Sequence, residues 1–295
     1  MNSGLDNKNP SLRRTFGTLY LVATPIGNLE DITLRALRIL KEVNLIACED
    51  TRHTTKLLNH FGIETPRQSY HQHNESTSAE KILEKLRAGE NVALVSDAGM
   101  PLISDPGHRL VAACREEGIE VCPIPGACAA VAALSGSGLP ADNFYFAGFL
   151  PHSRNQRRKR IEELASLNCT VIYYEAPHRI LSSLEDLAAI LGTRRICLAR
   201  ELTKIYEEWL RGTAAELISC LEARSKIQGE ITLVVEEGQI NETVSICSAS
   251  ITRHLQDEMQ KTGASQKEAL RAVARSRGIS RREAYQLLQQ EKDSL

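Results

Sequence analysis

The sequence predicts an α/β protein, two α/β units with a cleft between them and a small all-helical end. Three observations carry this. Short apolar runs at 19–23, 43–47, 92–96 and 119–124 alternate with helical patterns at 31–41, 53–60, 78–88 and 107–117, as crossover helices on a mostly parallel sheet require. Ser135-Gly-Ser-Gly-Leu-Pro140 breaks the composition and marks a boundary. From Ser250 onward strand-like runs cease and helical patterns dominate.

Each element has a local reason. Leu19 to Ala23 is uninterrupted apolar chain, the mark of a strand buried on both faces. Pro25 and Gly27 then turn the chain, and Asp31 to Glu42 repeats Ile32, Leu34, Leu37, Ile39 and Leu40 at helical spacing. Pro125-Gly126 opens an alanine-rich helix, Ala127 to Leu134. Beyond the break, strands at 144–149, 170–174, 195–199 and 230–236 alternate with helices at 154–167, 179–191 and 213–224. Hairpin-length returns near 203–211 suggest more antiparallel pairing there. At the end, Lys267 to Arg277 and Ser280 to Leu288 read as two helices about a Gly278-Ile279 turn, Ser280 and Glu283 forming a capping box. The expected units are a disordered tail at 1–16, α/β domains at 17–136 and 141–240, and a helix-turn-helix at 248–295.

Composition excludes several classes. A net charge of −1 gives no global attraction to nucleic acid, so any such partner must meet local patches. The eight cysteines form no CxxC pair and no zinc-like cluster with histidine, which suits free thiols in a reducing cytoplasm and predicts no metal. No run approaches transmembrane length.

The chemistry gathers in loops at strand ends. Ser96-Asp-Ala-Gly-Met-Pro-Leu-Ile-Ser-Asp-Pro-Gly107 is polar and rich in turn residues, and costly to hold rigid unless it wraps a ligand. Asp97 is its ligand candidate; Asp105, before Pro106, reads as a helix cap. Pro123-Ile-Pro-Gly-Ala-Cys-Ala129 is the next turn, and Tyr173-Tyr-Glu-Ala-Pro-His-Arg179 and Ala199-Arg-Glu-Leu-Thr203 end strands of the second unit. The first turn lacks G-x-G-x-x-G, which disfavours a phosphate cradle.

LYLVATPIGNLEDIT, ACEDTR, SDAGMPLISDPG, IPGACAA, FAGFLP, YYEAPHR, ARELTK and GE before ITLVVE occur in this order. The set resembles the ribosomal small-subunit RNA methyltransferase I family, within the tetrapyrrole-methylase-like, AdoMet-dependent enzymes. The likeness covers about residues 17–240, and the helical end matches that family's appended helix-turn-helix. It implies a tetrapyrrole methylase fold with S-adenosyl-L-methionine in the cleft between domains, in a cytoplasmic homodimer. The implied reaction is 2′-O-methylation of a cytidine ribose in the decoding region of 16S rRNA in the small subunit. Carried over by position, Pro25, Asp97, Ala98, Gly99 and Ile103 would line the cofactor from the first domain, with Cys128 and Ala129 beside it. Tyr174, Ala199 and Glu230 would close it from the second. Ala23-Thr-Pro-Ile-Gly27 departs from the larger group's GxGPG and is the variant of the RNA-modifying branch.

A ribose hydroxyl is a poor nucleophile, so a base or an oxyanion stabiliser is expected. Glu49, Asp50, Arg52, His71, His73, Glu175, His178 and Glu201 are candidates, and the residues do not choose among them. Arg154, Arg157, Arg158, Lys159 and Arg160 form a run without acids, expected to meet RNA phosphates. Residues 250–295 hold nine Lys or Arg against six Asp or Glu, so the terminal helices are expected to help dock RNA. Two other readings stay open: a DNA-binding regulator reading bases through Arg281, Arg282 and Gln286 behind a small-molecule sensor domain, and a methylase of a small molecule or protein.

Overall fold

The computed structural model describes residues 16–72, 74–238, 250–276 and 279–293. The expected tail up to residue 15, His73, the segment 239–249 and the turn residues Arg277 and Gly278 lie outside them. The chain forms two compact units, divided between Glu237 and Gly238. Both sheets belong to the first.

The first sheet contains β1 (Thr18–Val22), β2 (Leu45–Cys48), β3 (Arg67–Ser69), β4 (Val92–Val95) and β5 (Glu120–Ile124), in the order β3-β2-β4-β1-β5. Every pairing in it is parallel. Alternate residues serve opposite faces. Leu19, Leu45, Val92 and Leu94 pack against Ile82, Leu86 and Leu110 of α3 (Glu75–Arg87) and α4 (His108–Glu116). Val22, Ile46, Ala93 and Val95 pack against Ala36, Ile39 and Leu58 of α1 (Leu34–Glu42) and α2 (Thr51–His60). Burial on both faces is why these strands read as unbroken apolar runs. The polar edge strand β3 carried no such signal.

After α5 (Ala129–Ser137) comes the second sheet: β6 (Phe144–Phe149), β7 (Thr170–Glu175), β8 (Arg195–Arg200), β9 (Glu208–Thr213) and β10 (Ile231–Val235). Its order is β6-β7-β10-β8-β9. Only β6 and β7 run parallel; β10 is antiparallel to β7 and β8, and β8 to β9. One face packs on α6 (Arg154–Ala165), α7 (Ile180–Leu191) and α8 (Ala214–Glu222) through Ile161, Leu184 and Leu217. The other meets α5: Ile172, Cys197, Ala199 and Val234 cluster with Ala130, Ala133 and Leu134. Ile26, from the turn after β1, belongs to the same cluster and so packs that loop of the first sheet against the second. Small side chains in α5 permit this closeness; a Cβ on Gly136 would lie 2.4 Å from the Trp209 ring.

The second unit is three helices, Ile251–Thr262, Gln266–Ser276 and Arg281–Asp293, where the sequence resolved only the later two. Ala269, Ala274 and Ala284 are buried where the helices cross, with Leu255, Leu270 and Leu288 around them. Glu291 accepts hydrogen bonds from the Ser250 hydroxyl and the Ile251 and Thr252 amides, capping the first helix from the third. Among the described residues, no helix is long and apolar enough to cross a membrane.

Candidate active site

β1 and β4 are neighbours, yet the chain leaves them in opposite directions along the sheet. Such a switch point opens a crevice at the strands' carboxyl ends. Two loops meet there, 23–28 after β1 and 96–107 after β4. Thr24 and Gly99 exchange backbone hydrogen bonds of 3.0 Å each way, and the Thr24 hydroxyl donates to the Ser96 carbonyl at 2.9 Å. Gly99 has φ of +88°, where a side chain is strained.

A cavity of about 350 Å³ sits on this loop pair, within the size range of small-ligand sites. Its apolar surface comes from Ile26, Met100, Ile103, Phe149 and Ile231. Its polar groups are Ser96, Asp97, Ser104, Asp105, Tyr174, Glu230, Thr232 and the base candidate Glu175. Among the described residues, no Lys, Arg or His lines it, so it is chemically suited to a flat or cationic ligand and hostile to a phosphate. Tyr174 accepts the Ala130 amide at the start of α5, 3.2 Å away. Burial and the neighbouring Cys128 push its phenol up to about 12.

The carboxyls here differ. Burial, reinforced by Asp97, raises Asp105 although the Ser96 hydroxyl donates to it. Glu49 is raised by burial and then by the negative charges of Asp105 and Asp97. Asp97 accepts the Asp50 amide at 3.1 Å. Perturbed carboxyls gathered in a cleft mark a functional site.

The model of the Tetrapyrrole (Corrin/Porphyrin) Methylases matches residues 18–218. Ribosomal RNA small subunit methyltransferase I of Halalkalibacterium halodurans is 50% identical over 278 residues, 93% of this chain and 96% of that protein. The protein of the same name from Bacillus subtilis is 47% identical, covering 91% and 93%. This chain belongs to the ribosomal RNA small subunit methyltransferase I family.

Among solved structures, diphthine synthase matches with a TM-score of 0.60 at 14% identity, covering 75% of this chain and 90% of that one. Uroporphyrin-III-C-methyltransferase from Thermus thermophilus gives 0.55 at 23%, covering 75% and 94%. At such identities the likeness concerns the fold, the tetrapyrrole methylase fold.

Within this family member, Asp97, Ala98, Gly99, Ile103, Cys128, Ala129, Tyr174 and Glu230 all line the cavity. Pro25 lines an adjoining one. Ala199 lines neither; it is buried between Thr232 of β10 and Trp209 of β9. Asp105 corrects the expectation of a helix cap. Its carboxyl faces the cavity and Ser96, while the Gly107 amide at the start of α4 donates to Glu75. Ser96, Met100, Phe149 and Thr232 line the cavity without having been singled out. Phe149 stood in a quoted motif, but its half of the alternation could not be read through the irregular pairing at Phe146–Gly148.

Several base candidates are spent on structure. Asp50 caps α2 and grips Arg52, whose hydrogen bonds hold it at about 2. Buried Glu175 accepts Ser183 at 2.5 Å and the Ala176 amide at 2.8 Å, and pairs with Arg179. Although burial opposes ionisation of Glu201, Lys204 and the Glu230 amide outweigh it and lower its carboxyl. His178 is exposed, and neither it nor His71 lines a cavity described above.

Within the arginine run, the expectation that Arg157 meets RNA phosphates is corrected. Arg157 is buried, 2.7 Å from Asp186, a carboxylate with no exposed surface, and Arg154 and Arg158 reach the same group. Arg160 donates to the Tyr145 hydroxyl at 3.0 Å. The compensating acid lay on α7, remote in sequence. Lys159 remains an exposed cation of the run.

Proposed function

We propose that this chain uses S-adenosyl-L-methionine to methylate the ribose 2′-hydroxyl of a cytidine in the decoding region of 16S rRNA, as a cytoplasmic homodimer acting on the small ribosomal subunit. The observation that carries the reading is the cavity at the switch point, apolar on its flanks, edged with carboxylates and, among the described residues, free of basic lining. That lining fits the cofactor's adenine, ribose diol and positive charge. Ile26, Ile103 and Phe149 would flank the base, and Asp97 and Glu230 would hold the hydroxyls and cationic groups. When bound, the cofactor supplies a methyl group already activated by a positively charged sulfur.

The protein's part is then positioning and proton removal. The tied loops 23–28 and 96–107 hold the cavity wall rigid. Ion-paired Asp50 and Glu201 are poor proton acceptors, being held low. Asp105 lines the cavity with raised proton affinity, and the proton affinity of Glu49 is raised too. Among the carboxyls lining the cavity, Asp105 is therefore the proposed acceptor of the hydroxyl proton. The test is methyl transfer from labelled AdoMet to small subunits lacking the modification, followed by mapping of the labelled nucleotide. Folded protein that binds AdoMet but labels neither subunits nor free rRNA refutes the reading.

A further inference from the structure

A second cavity, of about 330 Å³, lies against the first and shares Ile26, Asp97 and Glu230 with it. The two differ in charge. Among the described residues the first has no basic lining, whereas the second adds His53, Lys56 and Lys204. It also continues outward: Gly27, Leu29 and Lys204 line a third, more open hollow past Ile205 and Tyr206. A small-molecule acceptor needs no such outlet. A polymer does.

Lys204 is held with care. Its ammonium lies 2.8 Å from Glu201 and 3.0 Å from Glu230, and its stem packs on Gly27, where a Cβ would come within 2.4 Å. Next to it, Thr203 has φ of +67°, an outlier for a β-branched residue. Backbone strain of this kind concentrates where ligands are clamped.

We propose that this second cavity receives the acceptor, the target nucleotide of a single-stranded RNA. Its phosphates lie toward Lys56 and Lys204, and its ribose against the wall of Asp97 and Glu230 that the cavities share. Cations tracking a backbone and an exposed aromatic beyond them are how single strands are held without base pairing. The proposal rests on the methyltransferase reading and gives that reaction its second subsite.

Lys56→Ala tests it, because Lys56 is exposed on α2 and outside the Lys204 ion group. Initial rates on unmodified small subunits, at several salt concentrations, are compared with AdoMet affinity from equilibrium dialysis. The expected result is a KM for subunits raised about tenfold and a log–log salt dependence shallower by about 0.7. AdoMet affinity stays within about twofold, Lys56→Glu is worse, and Lys56→Arg recovers. Unchanged KM and salt slope overturn the proposal. So does an equal loss of AdoMet affinity, which assigns the cavity to the donor, or a changed molecular mass with normal KM, which assigns the face to a second copy. If the wild-type protein labels no subunit while binding AdoMet, it is the enzymatic reading that fails, and the acceptor site falls with it.

Discussion

Arg157→Ala will destabilise the first unit before it affects any RNA contact. The Asp186 side chain has no exposed surface and that of Arg157 is 6% exposed, with Nη2 2.7 Å and Nε 2.9 Å from Oδ2. Burial works against the carboxylate, but hydrogen bonds from Arg157 and Arg154 outweigh it and hold Asp186 below its ordinary range. Removing one partner of a buried pair costs about 3–5 kcal/mol. Arg154 and Arg158 stay at 3.2 and 3.4 Å but are 68% and 36% exposed, so solvent screens them and they restore only part. The lower end, about 3 kcal/mol, is expected, or about 6–12 °C in Tm for a unit of this size.

The pH dependence follows from the same pair. A carboxyl depressed in the folded state contributes stability above its unfolded pKa and loses it as pH falls through the folded value. The wild type therefore weakens below about pH 4, and Arg157→Ala flattens that decline. Thermal and urea unfolding followed by circular dichroism, at neutral pH and in acid, measures both effects. Replacing both members, Arg157→Met with Asp186→Leu, removes the buried charge and recovers most of the loss. A Tm within about 2 °C of wild type, together with weakened subunit binding, would refute the buried-pair account and return Arg157 to the surface.

Asp105→Asn has the opposite sign. Its carboxyl is raised chiefly by burial, so ionisation costs stability above the folded pKa, and that cost disappears as pH falls through it; the variant should melt higher at pH 7 while kcat drops at least tenfold and the acid limb of the rate profile is lost. Gly27→Ala would bring a Cβ to 2.4 Å from Lys204 and 3.0 Å from the Leu202 carbonyl; a KM for subunits raised severalfold, with AdoMet binding retained in dialysis, is expected. Tyr174→Phe leaves the Ala130 amide without its acceptor, costing about 1 kcal/mol in a denaturation series. In the helical unit, hydrogen bonds from Ser250, and then from Ile251 and Thr252, hold Glu291 at about 2; Glu291→Ala should raise hydrogen exchange in the first helix of that unit at every pH above that value.

How far the sequence reached depended on whether a residue's partners were local. Val92 to Val95 was legible as a strand because both faces of a parallel sheet are covered and all its residues are buried. Arg67–Ser69 was not, since an edge strand of polar residues owes its existence to β2 beside it. At the site, the loops were legible as turn-rich strand ends, and most residues carried over by position line one cavity. Asp105 was misread because Asp-Pro before a helix is a good local cap signal, whereas Ser96, across the loop, is what takes its carboxyl. Arg157 was misread for the same reason: a run without acids reads as a face for RNA phosphates until α7 brings Asp186 under it. Local signals named the elements, and contacts remote in sequence decided the roles.

Strain is the property least visible in sequence, and its distribution supports the two-cavity arrangement. Among the described residues, four other than glycine have positive φ: Leu102, Ser104, Glu201 and Thr203. All lie in two loops, one carrying the Ile103 and Asp105 walls of the first cavity, the other presenting Lys204 to the second. Each such residue costs about 1–3 kcal/mol and persists only where its surroundings over-determine it. For Glu201 the surroundings are the Lys204 ammonium and both backbone groups of Glu230. For Ser104 they are the Ser96–Asp105 bond and the Thr24–Gly99 bridge that anchor its loop. A scaffold concerned only with stability would relax both loops with glycine. Substituting Ser104→Gly or Thr203→Gly should therefore raise Tm or leave it unchanged, by relieving φ at some entropic cost, while lowering kcat as the walls loosen. A variant that gains stability and keeps full kcat on small subunits would show that the strain is incidental to catalysis.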